Sequence, residues 1–312
     1  MSITAGMVKE LRELTGAGMM DCKKALTETD GNMDEAVEFL RKKGLAGVEK
    51  KAGRIAAEGL VCNLVSDDEK SAVSVEVNSE TDFVAKNEKF RGYVAEVAAQ
   101  ALASDAKSMD EFMAEPWKLD TSMTVQDKLA AMISVIGENM KIRRYQKLEV
   151  KDGFIASYIH GGGKIGVLLK VETDVVNDAI KEMAFYLSMQ IAAMKPMFLN
   201  RDAVPGDFIE KETEILKAQI ENDPKEAGKP EQVKMGMIKG RIAKELKELC
   251  LVDQEFTFSA EGKQTVADYI NATAKANNAK ISITEFLRFE TGEGLEKREE
   301  DFAAEVAKQM GQ

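Results

Sequence analysis

The chain has 312 residues, more than one hydrophobic core usually serves, so two or three structural units are expected. Apolar residues make up 44% and charged residues 31%, with only 5 prolines, which excludes a disordered chain and points to a helix-rich, water-soluble protein. The formal charge of −11 excludes a general electrostatic grip on phosphate backbones, so no direct DNA binding is expected.

Cys22, Cys62 and Cys250 are odd in number and far apart, as unpaired thiols in a reducing compartment would be. No CxxC or Cys/His cluster accompanies them, so no metal or other cofactor is expected. The opening MSITAGMVKELREL lacks an apolar targeting region, and no window is long and apolar enough to span a membrane. A cytoplasmic location is the expectation.

Residues 1–46 read as a three-helix unit. Val8, Leu11 and Leu14 lie on the first helix, which TGAG ends; MMDCKKAL forms the second. Asn32 and Glu35 mark the start of the third, Met33, Ala36, Val37 and Leu40 give its apolar face, and Gly44 its expected end. Residues 47–58 are charged and rich in small side chains, like a linker.

From Gly59 the grammar changes. GLVCNLV and SAVSVEV form a hairpin around Ser66, Asp67 and Asp68. SETDFVAKN follows, placing Phe83 in a polar loop; its unremarkable reading is a ring tucked back against Phe90 or Val94. Asn87 caps the next helix, on which Phe90, Val94, Val97, Ala98 and Ala101 share a face. A helix over Val125 to Ile136 and a strand in KIRRYQKLEV complete a unit at 59–150, with AEPWKLDTSMT as a connection holding the single Trp.

The same order then repeats. GFIASYI and KIGVLLKV form a second hairpin around HGGGK, a long helix follows, and Val266 to Asn277 and SITEFLRFE supply the later helix and strand. This second unit, 151–206 and 250–292, is interrupted at 207–249 by two helical runs joined at ENDPKEAGKP, an inserted antiparallel coiled-coil hairpin. Residues 293–312 are expected as a carboxy-terminal helix. The fold class is α+β. VLLKVETDVV echoes VSVEVNSETDFV, matching Thr173 and Asp174 to Thr81 and Asp82 and putting Val175 where the first copy has Phe83.

The chemical inventory is thin. A hydrolase of the nucleophile–imidazole type would have to use His160, the single histidine, and no GxSxG elbow accompanies it. HGGGKIG is no phosphate loop, because Lys164 precedes Ile165 and a strand. An interaction protein is favoured over an enzyme.

ITAGMVKELRELTGAGMMDCKKAL, VNSETDFVAKN and FLRFETGEGLEKREEDFAAEVA together resemble bacterial elongation factor Ts, and IGENMKIRR and SYIHGGGKIGVL match the same pattern. The resemblance covers essentially the whole chain, in order. It implies a guanine nucleotide exchange factor that binds elongation factor Tu, GDP-bound or nucleotide-free, and speeds GDP release without covalent chemistry. It also implies that the three-helix unit is similar to ubiquitin-associated domains. Thr81, Asp82, Phe83 and Val84 match the motif associated with displacing magnesium from the partner. Arg12, Met19, Met20 and Lys23 match amino-terminal partner contacts, and Ile136, Gly137 and His160 match contacts of the core. Helix packing alone predicts that only one of Met19 and Met20 is exposed. The alternative function is a non-catalytic adaptor or chaperone-like partner of a translation GTPase.

Overall fold

A computed structural model describes residues 3–259 and 262–296. Helix α1 (Ala5–Thr15) starts where the Thr4 hydroxyl accepts the Met7 N–H and stops at Gly16, whose φ of 69° suits a residue without Cβ. With α2 (Met19–Glu28) and α3 (Met33–Lys51) it closes over Leu11, Cys22, Ala25, Leu26 and Ala36. The expected end of α3 at Gly44 is wrong, and the first part of the expected linker is helical. Gly44 is buried where α3 meets α7 (Val125–Ile136), and an added Cβ would sit 3.6 Å from the Ala130 carbonyl. This glycine marks a close helix crossing, not a stop.

Strands β1 (Glu58–Val65) and β2 (Ser71–Ser79) form the expected hairpin, and β2 pairs on its other edge with β5 (Met140–Glu149), giving an antiparallel sheet in the order β1-β2-β5. Alternation along β2 sends Val73, Val75 and Val77 to a core shared with Phe90, Val94 and Val97 of α5 (Glu88–Ala103) and Ile133 of α7. The connection holding Trp117 is more structured than expected: α6 (Met109–Ala114) leads into a small hairpin of β3 (Pro116–Trp117) and β4 (Asp120–Thr124). Trp117 is buried in the same core, beside Tyr93.

The second sheet copies the first. Strands β6 (Gly153–His160), β7 (Ile165–Thr173) and β8 (Ile281–Glu290) pair antiparallel in the order β6-β7-β8, covered by α8 (Asp178–Met194) and α11 (Val266–Ala276). The correspondence reaches local irregularities. A bulge falls between Glu76 and Val77 in one sheet and between Lys170 and Val171 in the other. Gly59 and Gly153 have φ of 127° and 123°, and a Cβ on either would collide with the facing carbonyl of Val77 or Val171. Helices α7 and α11 both begin with reciprocal caps, Thr124 with Asp127 and Thr265 with Asp268.

Between α8 and α11 the chain forms α9 (Gly206–Asn222) and α10 (Glu231–Leu249), which meet through Leu216, Ile220 and Ile238; Arg241 clasps Glu226 at the turn with two bonds of 2.7 and 2.8 Å. The expected carboxy-terminal helix falls mainly on residues 297–312, which lie outside the described residues.

The two sheets press their remaining faces together. Val61, Ala72 and Leu148 of the first meet Ile155, Leu168, Leu287 and Phe289 of the second, giving four layers with helices outside. Glu76 is fully buried beside this layer. Its carboxylate accepts from the Gly292 N–H at 2.8 Å, Asn78 Nδ2 at 3.0 Å, Arg143 Nη1 at 3.0 Å and Arg144 Nε at 2.6 Å. Burial pushes the Glu76 carboxyl up, but these four donors outweigh it and hold it below the usual range. Glu290 is lowered to about 2 by hydrogen bonds from Lys195 and Arg288.

Two outcomes follow from this cluster. Truncating Glu76→Ala leaves the buried Gly292 N–H without its acceptor and takes one partner from each of Arg143 and Arg144, which keep contacts to Glu290 and Glu293, and calorimetry should register a loss of roughly 1–3 kcal/mol, with Glu76→Gln milder. Both carboxyls are held below their ordinary range in the folded state, so their stabilisation is complete above about 4.5 and is lost as pH falls through the folded values, about 2 for Glu290. Acid unfolding should therefore steepen in that window, and Glu290→Gln should flatten part of the slope; a slope unchanged by Glu290→Gln would contradict this account.

Candidate functional site

TDFV is not a loop. The β2 strand ends at Ser79, and α4 (Asp82–Ala85) follows as a single helical turn, started where the Thr81 hydroxyl accepts the Val84 N–H at 3.4 Å. The turn points Val84 and Ala85 into the first core and leaves Phe83 78% exposed. The reading in which the ring tucks against Phe90 or Val94 is thereby overturned, because its two neighbours occupy the inward direction. A phenylalanine kept in water forgoes roughly 1.5–3 kcal/mol of burial. Exposed aromatics on well-anchored turns are the usual anchors of protein interfaces.

Asp82 pairs with Lys86 at 2.6 Å, which holds its carboxyl below the usual range, and the Lys86 ammonium lies 5.9 Å from the centre of the Phe83 ring. Glu138, just past the end of α7, accepts the Thr81 N–H at 3.1 Å and the Thr81 hydroxyl at 2.7 Å. Glu80 in turn accepts the Asn139 N–H at 2.5 Å. Ile136 and Gly137 are therefore adjacent to TDFV in space. Gly137 closes α7 with φ 88°, the turn that brings Glu138 round to Thr81.

The structure corrects the match of Val175 to Phe83. Ser79 lies opposite Met140, and Thr173 lies opposite Ile281. The Ser79 hydroxyl donates to the Thr81 carbonyl at 3.1 Å, and the Thr173 hydroxyl to the Val175 carbonyl at 3.0 Å. The counterpart of Thr173 is thus Ser79, and that of Asp174, which accepts the Lys280 N–H, is Glu80. Ten positions separate Val77 from the helix cap Asn87, but six separate Val171 from the cap Asn177. The first copy carries four extra residues, the length of α4, and the shared ETD letters misled the alignment.

Arg12, Met19, Met20 and Lys23 are all exposed around the α1–α2 turn, Met19 at 59% and Met20 at 74%. The expectation that one methionine is buried fails because Cys22, Ala25 and Leu26 fill the inward face of α2. This turn docks beside α7: a Cβ on Gly16 would lie 3.6 Å from Val135, next to Ile136. Arg41 braces the arrangement by donating to the Ser122 carbonyl and hydroxyl at 3.1 Å.

His160 is exposed and bonds Tyr158 Oη through Nδ1 at 2.9 Å. The turn it opens is pinned to the first unit: the Gly163 carbonyl accepts the Val61 N–H at 2.7 Å, and Lys164 pairs with Glu58 at 2.5 Å. Three consecutive glycines, 161 to 163, all have positive φ, which explains their use here. Gly161, Gly162 and Lys164 then face Thr81, Asp82 and Lys86 across an open groove of about 750 Å3. Among the described residues no group of His, Cys, Asp or Glu is arranged to hold a metal, and no helix is long and apolar enough to cross a membrane.

The sequence reading missed Glu138 and Glu80. The signal for Glu138 lies in the repeat: its position, two before the third strand, is Ala279 in the second copy, whereas Glu80 has the acidic counterpart Asp174.

The family model described as Elongation factor TS matches residues 80–293. Elongation factor Ts of Clostridium novyi (strain NT) is 48% identical over 310 residues, covering 99% of each chain. Those of Clostridium botulinum (strain Eklund 17B / Type B) and Clostridium tetani (strain Massachusetts / E88) are 50% identical over 309 and 308 residues, again 99% of each chain. Matched along nearly its whole length, the chain belongs to the elongation factor Ts family of translation elongation factors.

Proposed function

We propose that the chain is a guanine nucleotide exchange factor that binds elongation factor Tu in its GDP form, promotes GDP release and lets GTP bind, acting in the cytoplasm and without covalent chemistry of its own. The observation that supports it best is the exposed Phe83 on a turn fixed at both ends. An exchange factor works by differential affinity: it must bind the nucleotide-poor partner more tightly than the nucleotide-bound one. A rigid ring inserted among side chains of the nucleotide domain gives that bias, because a geometry that admits the ring moves the groups around magnesium. Asp82, Thr81 and Val84 set the ring's direction.

Under the same reading Arg12, Met19, Met20 and Lys23 form a second contact near the base and ribose side of the partner. Ile136 and Gly137 connect that contact to the ring, and His160 opens the glycine turn that lines the groove. The layout belongs to the proposal too: a ubiquitin-associated-like unit at 1–46, two repeated core subdomains, and a coiled-coil arm at 207–249.

The test is release of fluorescent GDP from elongation factor Tu with substoichiometric factor. Wild type should accelerate release catalytically. Binding without any change in release rate would replace this reading with the adaptor. Phe83→Ala should lower kcat/KM about 10- to 100-fold, the scale of one buried aromatic, while the melting temperature stays near wild type because the ring touches little of its own protein. Met19→Ala and Met20→Ala should each weaken binding about three- to tenfold by titration calorimetry; wild-type affinity in both would remove the α1–α2 turn from the interface.

A further inference from the structure

The backbone ladder between β2 and β5 ends at the pair Ser79 and Met140. Beyond it the two chains stay joined through side chains, and the pattern is reciprocal. Glu80 accepts the N–H of Asn139, and Glu138 accepts the N–H of Thr81. Asn139 Nδ2 also donates to the Arg54 carbonyl at 2.8 Å, while Arg54 reaches Glu80 at 3.3 Å, so this end of the sheet is fastened to the segment entering β1.

Glu138 has a feature that Glu80 lacks. It takes the Thr81 hydroxyl proton as well as the Thr81 N–H, and the same hydroxyl oxygen receives the Val84 N–H. A hydroxyl donates one proton and accepts through its lone pairs. With its proton directed at Glu138, the oxygen turns its lone pairs toward α4 and serves as the helix cap. Glu138 therefore sets both the position of the first residue of the turn and the orientation of the group that starts the helix. A helix of four residues makes almost no internal bonds and has little tendency to form by itself.

The second copy acts as an internal control. It keeps one half of the clasp, Asp174 accepting the Lys280 N–H, and it lacks the extra helical turn. At the position of Glu138 it has Ala279. The carboxylate is present where the ring-bearing turn is present and absent where it is absent.

We infer that Glu138 is a positioning residue that holds the TDFV turn, and with it the Phe83 ring, in its binding conformation before the partner arrives. This rests on the exchange-factor reading for its functional consequence, but the clasp itself belongs to the free protein. A preformed turn spares the partner the population penalty of selecting one conformer from many. Loss of Glu138 should therefore act on affinity and leave the rate of the fully bound complex alone, unlike loss of the ring.

The experiment measures two things on the full-length chain. Hydrogen exchange of the free protein should show the Thr81 and Val84 amides opening about tenfold faster in Glu138→Ala, with β2 and β5 amides unchanged. In the fluorescent GDP assay the same variant should raise KM for elongation factor Tu about tenfold with kcat within about twofold. Glu138→Gln keeps a single carbonyl for the two Thr81 donors, so it loses one of the two bonds and its KM should fall between wild type and Glu138→Ala, about threefold above wild type. In a Phe83→Ala background, adding Glu138→Ala should change KM by less than about twofold, since the carboxylate acts through the ring.

Unchanged amides in Glu138→Ala would overturn the clasp. Faster amides with an unchanged KM, or an equal effect in the Phe83→Ala background, would overturn the positioning role. Failure of the wild type to release GDP would overturn the exchange-factor reading instead, leaving the amide result to judge the clasp. Ala279 occupies the same backbone position in the second copy, and Glu138→Gln covers the case in which Glu138→Ala folds poorly.

Discussion

The buried Glu76 carboxylate is the constraint on which the architecture turns. A charge removed from water is tolerated only if its oxygens are fully bonded, and here the donors come from both halves of the molecule. Asn78, Arg143 and Arg144 belong to the first sheet; the Gly292 N–H belongs to the turn after β8, 216 residues away in sequence. Arg144 also stacks over Phe289 at 4.1 Å, and Arg143 donates to the Glu293 carbonyl at 2.6 Å. The charge thus demands that the second sheet return to one place. Gly292, at φ 70°, fits because a Cβ would collide with the Ala57 carbonyl.

That one registration carries through to the surface. Thr291 donates its hydroxyl to the Gly163 carbonyl and its N–H to the Lys164 carbonyl, at 3.1 and 2.9 Å. The HGGGK turn is thereby set against β1 and forms one wall of the groove beside TDFV. The apolar layer between the sheets supplies most of the adhesion, but apolar contact is non-directional. The ionic cluster adds directional bonds between the two sheets, together with the Asn63 amide on the Val167 carbonyl and the Val61 N–H on the Gly163 carbonyl.

The two sheets and their covering helices make two similar scaffolds, and they differ at the TDFV turn. Both copies have the bulge, the strained glycine opening the hairpin and the reciprocal helix cap. The first adds four residues and a carboxylate to hold them. A surface turn made this way needs no new core: Val84 and Ala85 seal the existing one, and the ring is left exposed. A surface turn held at both ends is consistent with the proposed exchange activity, which needs a shape that selects one state of a partner.

The sequence by itself determined the elements. Period-two alternation in SAVSVEV, the helical spacing of Met33, Ala36, Val37 and Leu40, and the cap at Asn87 are signals within a few residues, and local backbone preference obeys them. Repetition of the pattern exposed the duplicated units. Tertiary structure alone decided four matters: that α3 runs through Gly44 to cross α7, that both Met19 and Met20 face water, that Phe83 points outward from a helical turn, and that Thr173 corresponds to Ser79 instead of Thr81. The helix crossing, the strand register and the hold on the TDFV turn depend on groups far apart in the chain, as Thr81 and Glu138 are, 57 positions from one another. Local spacing fixes which face of an element is apolar, whereas the direction of an exposed side chain is set by the distant partners that hold its backbone.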